Sequence, residues 1–165
     1  MRMLWVLGNL LGEGDPEFTT RVAKPVKPEK AMYAGLYDMS PAEWAIVERL
    51  GLSMATPSQL IDSSQAVAEW LRSTGARRVA IHFDLDVIDP AELRSLYFTR
   101  PNAAPGAFAG IPQGRMTIPQ VIRLLNDVAE QVEVVGRGIS EHLPWDAIAI
   151  KAMLRALPLI GESGV

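Results

Sequence analysis

The segment Arg78-Val79-Ala80-Ile81-His82-Phe83-Asp84-Leu85-Asp86 constrains this chain more than any other. Its β-branched and aromatic residues read as a strand. Side chains alternate along a strand, so Val79, Ile81, Phe83 and Leu85 share one face, and Ala80, His82, Asp84 and Asp86 share the other. One face is apolar and the other turns acidic at its tip. Two carboxylates that close repel each other and protonate unless a cation or hydrogen-bond donors neutralise them. Oxygen ligands of this kind suit manganese or magnesium rather than a sulfur-loving ion. Spacing alone leaves an equal alternative, in which Asp84, Asp86 and Asp89 hydrogen-bond loop backbone ahead of Pro90, as aspartates commonly do at turns.

The rest of the chain alternates strands with helices. Ala31 to Tyr37 is a short apolar run of the type found in doubly covered strands, and Asp38 ends it. Ser40-Pro41-Ala42-Glu43 starts a helix with a capping serine, a proline in the first turn and a glutamate three residues after the cap. Trp44, Val47 and Leu50 share its expected inner face, and Gly51 stops it. Val67, Trp70 and Leu71 set a second helix over about 64–74. Thr117 caps a third, which Val121, Ile122, Leu125 and Val128 carry forward at helical spacing. A strand over 132–140 then delivers Glu141, and a last helix over about 146–157 is closed by Pro158. The stretch from Ile88 to about Met116 has no periodicity; it is either a covering over a site or a missed element.

This order predicts an α/β fold, an open parallel sheet of three layers with helices on both faces and about three or four strands. Ligands in such sheets sit beyond the carboxyl ends of the strands, where Asp38, Asp84, Asp86 and Glu141 all fall. The 165 residues are expected to form a single domain. The opening Met1 to Gly12 reads as a buried helix rather than a leader, because Asn9 interrupts the apolar run and no small-x-small cleavage site follows.

Sixteen basic and nineteen acidic residues are interspersed without long runs, which argues against nucleic-acid or membrane-surface partners. The absence of cysteine excludes a disulfide framework, a thiolate metal site and a cysteine nucleophile, and agrees with a cytoplasmic setting.

Beyond these physical patterns, Phe83-Asp84-Leu85-Asp86-Val87-Ile88-Asp89-Pro90 closely resembles the F-D-x-D-x-x-D-P segment of the arginase, agmatinase and formimidoylglutamase (ureohydrolase) family. Gly110-Ile111-Pro112-Gln113-Gly114-Arg115-Met116-Thr117 resembles that family's G-x-P-x-G-G-L-T stretch. Val135 to Pro144 resembles its V-x-G-x-D-I-V-E-x-N-P segment, and Ala31 to Asp38 is similar to an earlier strand ending in a G-x-R-D-like turn. The segments occur in the family's order from about residue 31 onward.

The resemblance implies an arginase-like fold and manganese-dependent hydrolysis of linear guanidino or amidino C–N bonds. In the complete family site, two ions lower the pKa of a shared water so that it attacks a guanidinium-type carbon. By the same resemblance Asp84 and Asp86 are metal ligands, and Glu141 pairs with the substrate's cationic group. His142 beside it is a candidate substrate contact or a turn cap. His82, on the face of Asp84, is a candidate donor to the metal's ligands, though a lone strand histidine is more often a satisfied core residue. The family's G-G-D-H-like and D-A-H-x-D-like segments have no counterpart here, and Leu143 stands where the family has asparagine.

The chain therefore reads as the C-terminal half of an arginase-like domain, with a partial site that is weak or inactive alone. Its expected partners are a small guanidino or amidino compound and either a separate N-terminal half or further copies of itself. The alternatives are a non-catalytic half of a split protein and, on the strand Ile81 to Asp86 only, a haloacid-dehalogenase-like phosphatase.

Overall fold

A computed structural model of the chain describes residues 3–158. It begins with helix α1 (Met3–Leu11), whose Leu11 is buried; Met1 and Arg2 of the expected opening helix lie outside the described residues. A short helix α2 (Pro16–Thr19) is capped by the Asp15 side chain, which accepts from the Glu17 N–H. Strand β1 spans Met32–Ala34, shorter than the apolar run suggested.

Helix α3 (Pro41–Leu50) carries the expected capping box. The Glu43 N–H donates to Ser40 Oγ, and Glu43 Oε2 accepts from the Ser40 N–H at 2.8 Å. Its inner face differs from the sequence reading in one residue. Val47 is buried and Leu50 packs against a core cluster, whereas Trp44 is 40% exposed. Three-residue spacing alone does not fix how far a buried stripe wraps round a helix, and here the stripe is narrow.

Strand β2 (Ser53–Ala55) was not anticipated, because three residues after a helix stop carry too little pattern to read. It pairs in parallel with β1, Met32 opposite Ser53 and Ala34 opposite Ala55. Helix α4 (Pro57–Leu60) and helix α5 (Gln65–Thr74) follow, with Val67 and Leu71 buried and Trp70 partly buried, as expected. Strand β3 (Arg78–Asp84), helix α6 (Ile118–Gln131) and strand β4 (Glu133–Ser140) make a β-α-β crossover in which β3 and β4 pair in parallel. Helix α7 (Ala147–Arg155) closes the described chain, with Asp146 capping the N–H groups of Ile148 and Ala149.

The fold class is thus α/β with parallel strands, and the four strands of the described residues are arranged as two two-stranded ladders, β1–β2 and β3–β4. Two apolar clusters hold these ladders. The larger joins Phe83 of β3 and Val134 of β4 to α4 to α7, and the smaller gathers Leu11, Ala31, Tyr33, Val47 and Leu52.

The segment between β3 and α6 is packed rather than draped. Leu93, Ser95 and Leu96 have no solvent exposure. Ser95 Oγ donates to the Asp146 carbonyl at 2.6 Å, and the Leu143 N–H donates to the Ser95 carbonyl at 2.8 Å, so this segment pins the loop that leaves β4. A single residue pair, Ile88 and Met116, forms a parallel bridge near its two ends. Among the described residues no helix is long and apolar enough to cross a membrane.

Leu96→Ala tests this packing. Removing a fully buried leucine side chain is expected to cost about 3 kcal/mol of unfolding free energy, read from the urea midpoint at unchanged slope. A loss below about 1 kcal/mol would show that the segment is not part of the core.

Candidate functional site

The β3–β4 ladder brings Asp84 and the residue before Glu141 to one rim. Its register places Ala80 opposite Gly136, His82 opposite Gly138 and Asp84 opposite Ser140, so the carboxyl ends of both strands finish together. The structure corrects one detail of the expected alternation. The strand stops at Asp84, and Leu85–Val87 is a turn of 3₁₀ helix in which Leu85 is fully buried. Asp86 therefore reaches the site from a turn, not from the strand face of Asp84.

The backbone-capping explanation of the aspartates holds for two of them and fails for the third. Asp84 Oδ1 accepts from the Asp86 N–H at 2.9 Å, and Asp89 Oδ1 accepts from the Ala91 N–H at 2.8 Å. Asp86 Oδ1 is buried and has no hydrogen-bond partner. Burial is the main cause of a rise in the Asp86 pKa to about 7, with the charges of Asp84 and Glu141 adding to it. Asp38 is exposed and is not among the charges that act on Asp86.

Glu141 sits at φ 61°, a left-handed backbone conformation that costs a residue with a Cβ about 1 kcal/mol or more. The strain turns the chain sharply where β4 ends, and the Leu143–Ser95 hydrogen bond holds the following loop in place.

The turn carrying Asp86 is fixed by close backbone approach. A Cβ on Gly114 would overlap the Asp86 carbonyl oxygen and the Val87 carbonyl group, so only glycine fits against this peptide. Gly35, at φ 88°, comes equally close to the Val87 and Met116 side chains from the end of β1. The Met116 N–H donates to the Val87 carbonyl at 3.1 Å, and the Asp89 N–H to the Met116 carbonyl at 2.9 Å. Tyr37 Oη donates to the Gln113 carbonyl at 2.6 Å, and the Arg115 guanidinium lies 4.0 Å from the centre of the Tyr37 ring. Three of the segments that carry the resemblance are thus one packed unit around the acidic turn.

The histidines fall at the margins. His82 is exposed on the outer face of β3, not a satisfied core residue, and its Nε2 lies 3.1 Å from Ser140 Oγ. His142 is exposed and lines a depression beside α7 together with Ile139, Ile150, Lys151, Leu154 and Arg155. Sequence reasoning gave Ser140 and Ser95 no role, since they act through partners more than 50 residues away. Gly114 stood only as part of the segment that resembles the family's G-x-P-x-G-G-L-T stretch.

By donor chemistry alone, oxygen ligands such as the orphaned Asp86 Oδ1 suit a hard divalent cation rather than a soft one. The set is open. Among the described residues no three His, Asp or Glu side chains converge closely enough to hold a metal by themselves.

No family model matches the sequence, and no curated protein matches it. Solved structures do. The arginase of Entamoeba histolytica in complex with L-ornithine is similar at 16% identity and a TM-score of 0.70, over 91% of this chain and 49% of that one. The native arginase of Bacillus caldovelox gives 20% identity and a TM-score of 0.68, over 89% of this chain and 48% of that one. The formimidoylglutamase of Bacillus subtilis gives 14% identity and a TM-score of 0.54, over 77% of this chain and 38% of that one. The chain has the arginase-like fold and spans about half the length of the arginases it matches.

Asp86 yields a pH prediction for the metal-free protein. Unfolded, it releases its proton near the ordinary 3.8; folded, it keeps it to about 7. Between those values the folded state holds the extra proton, so this group lowers stability as pH rises through the window. Asp86→Asn removes the effect. In the presence of a chelator the variant is expected to be more stable than the parent by about 2 kcal/mol at pH 8, a figure discounted for the group's remaining solvent contact, and equal to it near pH 3.5. A variant less stable at pH 8 would show that the carboxylate supports the fold instead.

Proposed function

We propose that this chain, sharing the fold of the arginases, supplies part of a metal-dependent hydrolytic site for linear guanidino or amidino C–N bonds, of the urea-releasing type. The observation that carries the reading is Asp86 Oδ1, buried without a partner in the field of Asp84 and Glu141. Above about pH 7, where burial no longer keeps the group protonated, such a carboxylate weakens the fold unless a cation neutralises it.

In this reading Asp84 and Asp86 hold manganese, and His82 with Ser140 borders the ligand face. When bound, the ion pair of this chemistry activates a water for attack near neutral pH. Glu141 does the substrate's work. Its carboxylate pairs with the cationic guanidinium or amidine, and the strained backbone beneath it fixes the direction from which the trigonal carbon is presented. His142, exposed one residue further on, is then a candidate contact for the outer part of a substrate, or a turn cap. The packed unit of Gly35, Gly114 and Met116 keeps the Asp86 turn from relaxing away from its neighbours.

A second reading, a half-site that needs a partner chain to act, is favoured by the open ligand set. The remaining donors then come from a separate polypeptide or a longer form of this one. The phosphatase alternative rested on one strand, and the arginase-like fold leaves it without support. The cysteine-free composition supports a cytoplasmic setting.

Manganese titration of the purified chain, followed by calorimetry and by thermal melting at pH 8, separates these readings. Weak binding that raises the melting temperature is expected. Asp86→Asn should reduce affinity by at least the roughly 10–100-fold that losing even an outer-sphere partner costs. Urea release from arginine, agmatine or another guanidino compound should be slow or absent for the chain alone. No response to millimolar manganese would end the metal reading, and stoichiometric metal with turnover would end the half-site one.

A further inference from the structure

Two residues that set this chain apart from the segments it resembles touch each other. Tyr37 stands where the G-x-R-D-like turn has arginine, and Arg115 stands where the G-x-P-x-G-G-L-T stretch has its second glycine. The Arg115 guanidinium lies over the Tyr37 ring, 4.0 Å from its centre. Tyr37 is itself fixed, because its Oη donates to the Gln113 carbonyl at 2.6 Å.

The pair stands where the acidic turn is packed. Gly35, just past the end of β1, meets the Val87 side chain just past the end of β3, so the carboxyl ends of these two strands adjoin. Gly114, next to Arg115, lies against the peptide between Asp86 and Val87. Arg115 is not among the charges that act on Asp86, so it does not neutralise the acidic turn. The rim thus carries a cation as well as its acids. A guanidinium that uses its face on an aromatic ring keeps its N–H edge for a planar oxyanion. Asp38, one residue from Tyr37, does not supply that oxyanion, since no ion pair joins it to Arg115.

We propose that Arg115, steadied by Tyr37, holds a carboxylate at the far end of the guanidino or amidino substrate, so that the site takes guanidino acids and turns away guanidino amines. The inference rests on the hydrolase reading, in which Asp84 and Asp86 hold the metal and Glu141 receives the cationic end. Selection has an attractive and a repulsive part. A carboxylate tail gains paired, charge-assisted hydrogen bonds to the guanidinium fork, whereas an ammonium tail meets like charge. Tyr37 is a positioning residue: its ring sets the plane of the fork, and its hydroxyl ties that ring to Gln113.

The test titrates the full chain, in saturating manganese, with 4-guanidinobutyrate, agmatine and butylguanidine, whose tails are anionic, cationic and neutral. Calorimetry should find 4-guanidinobutyrate bound at least about tenfold tighter than agmatine. Arg115→Gln should erase that ratio, and Arg115→Lys should keep part of it. Tyr37→Leu should narrow it as well, whereas a purely structural loss would weaken both ligands alike and leave the ratio unchanged. Butylguanidine, with no tail charge, reports on the hydrolase reading separately, and Glu141→Gln should weaken it. Equal affinity for the acid and the amine, a preference for agmatine, or a preference for the acid that survives Arg115→Gln overturns the inference. The hydrolase reading survives each of those results as long as butylguanidine still depends on Glu141. No binding of any of the three, or butylguanidine binding indifferent to Glu141→Gln, overturns both.

Discussion

Asp84 and Ser140 face each other at the ends of two parallel strands, and everything that could act in this protein depends on that register. Parallel pairing sends both carboxyl ends to one rim, so acids from segments more than 50 residues apart meet without a dedicated contact between them. A slip of one residue would turn His82 and Asp84 to the packed face and Phe83 outward. The buried Phe83 and the exposed His82 hold the register against that slip, because the apolar face has a core to meet and the other does not.

The rim is held in a costly state by cheap means. Asp86 is desolvated beside like charge, and Glu141 adopts a left-handed backbone. Among the described residues neither has an ion-pair partner. What holds them is backbone packing: the Asp86–Val87 peptide against Gly114, the Val87 side chain close to Gly35, and the Ile88–Met116 bridge alongside. Local strain of this kind persists only where the surrounding structure over-determines it. Ser95 does the same for the far side of the site, tying the loop after β4 to the packed segment after β3.

Much of this was legible residue by residue. Ser40 and Thr117 announced their helices through capping boxes, and both boxes formed. The strand at 78–84 and its parallel mate at 133–140 followed from β-branched runs separated by a periodic helix. The illegible parts share a cause. Strand β2 is three residues long, Trp44 faces solvent although its spacing allowed either side, and Leu93 and Leu96 are buried in a segment without period. In each case burial was decided by a neighbour distant in sequence. The same holds for the aspartates. Spacing left metal binding and backbone capping level, and the structure divides them by giving Asp84 and Asp89 backbone donors and Asp86 none.

The order of the longer elements, the parallel α/β class and the delivery of acids to strand ends were determined by the amino-acid sequence itself, because periodicity and caps are local properties that each segment carries alone. Which carboxylate stays unsatisfied, which glycines admit close backbone approach and which strands pair were decided only by tertiary structure. Desolvation, packing distance and strand pairing are relations between segments, and no single segment contains them.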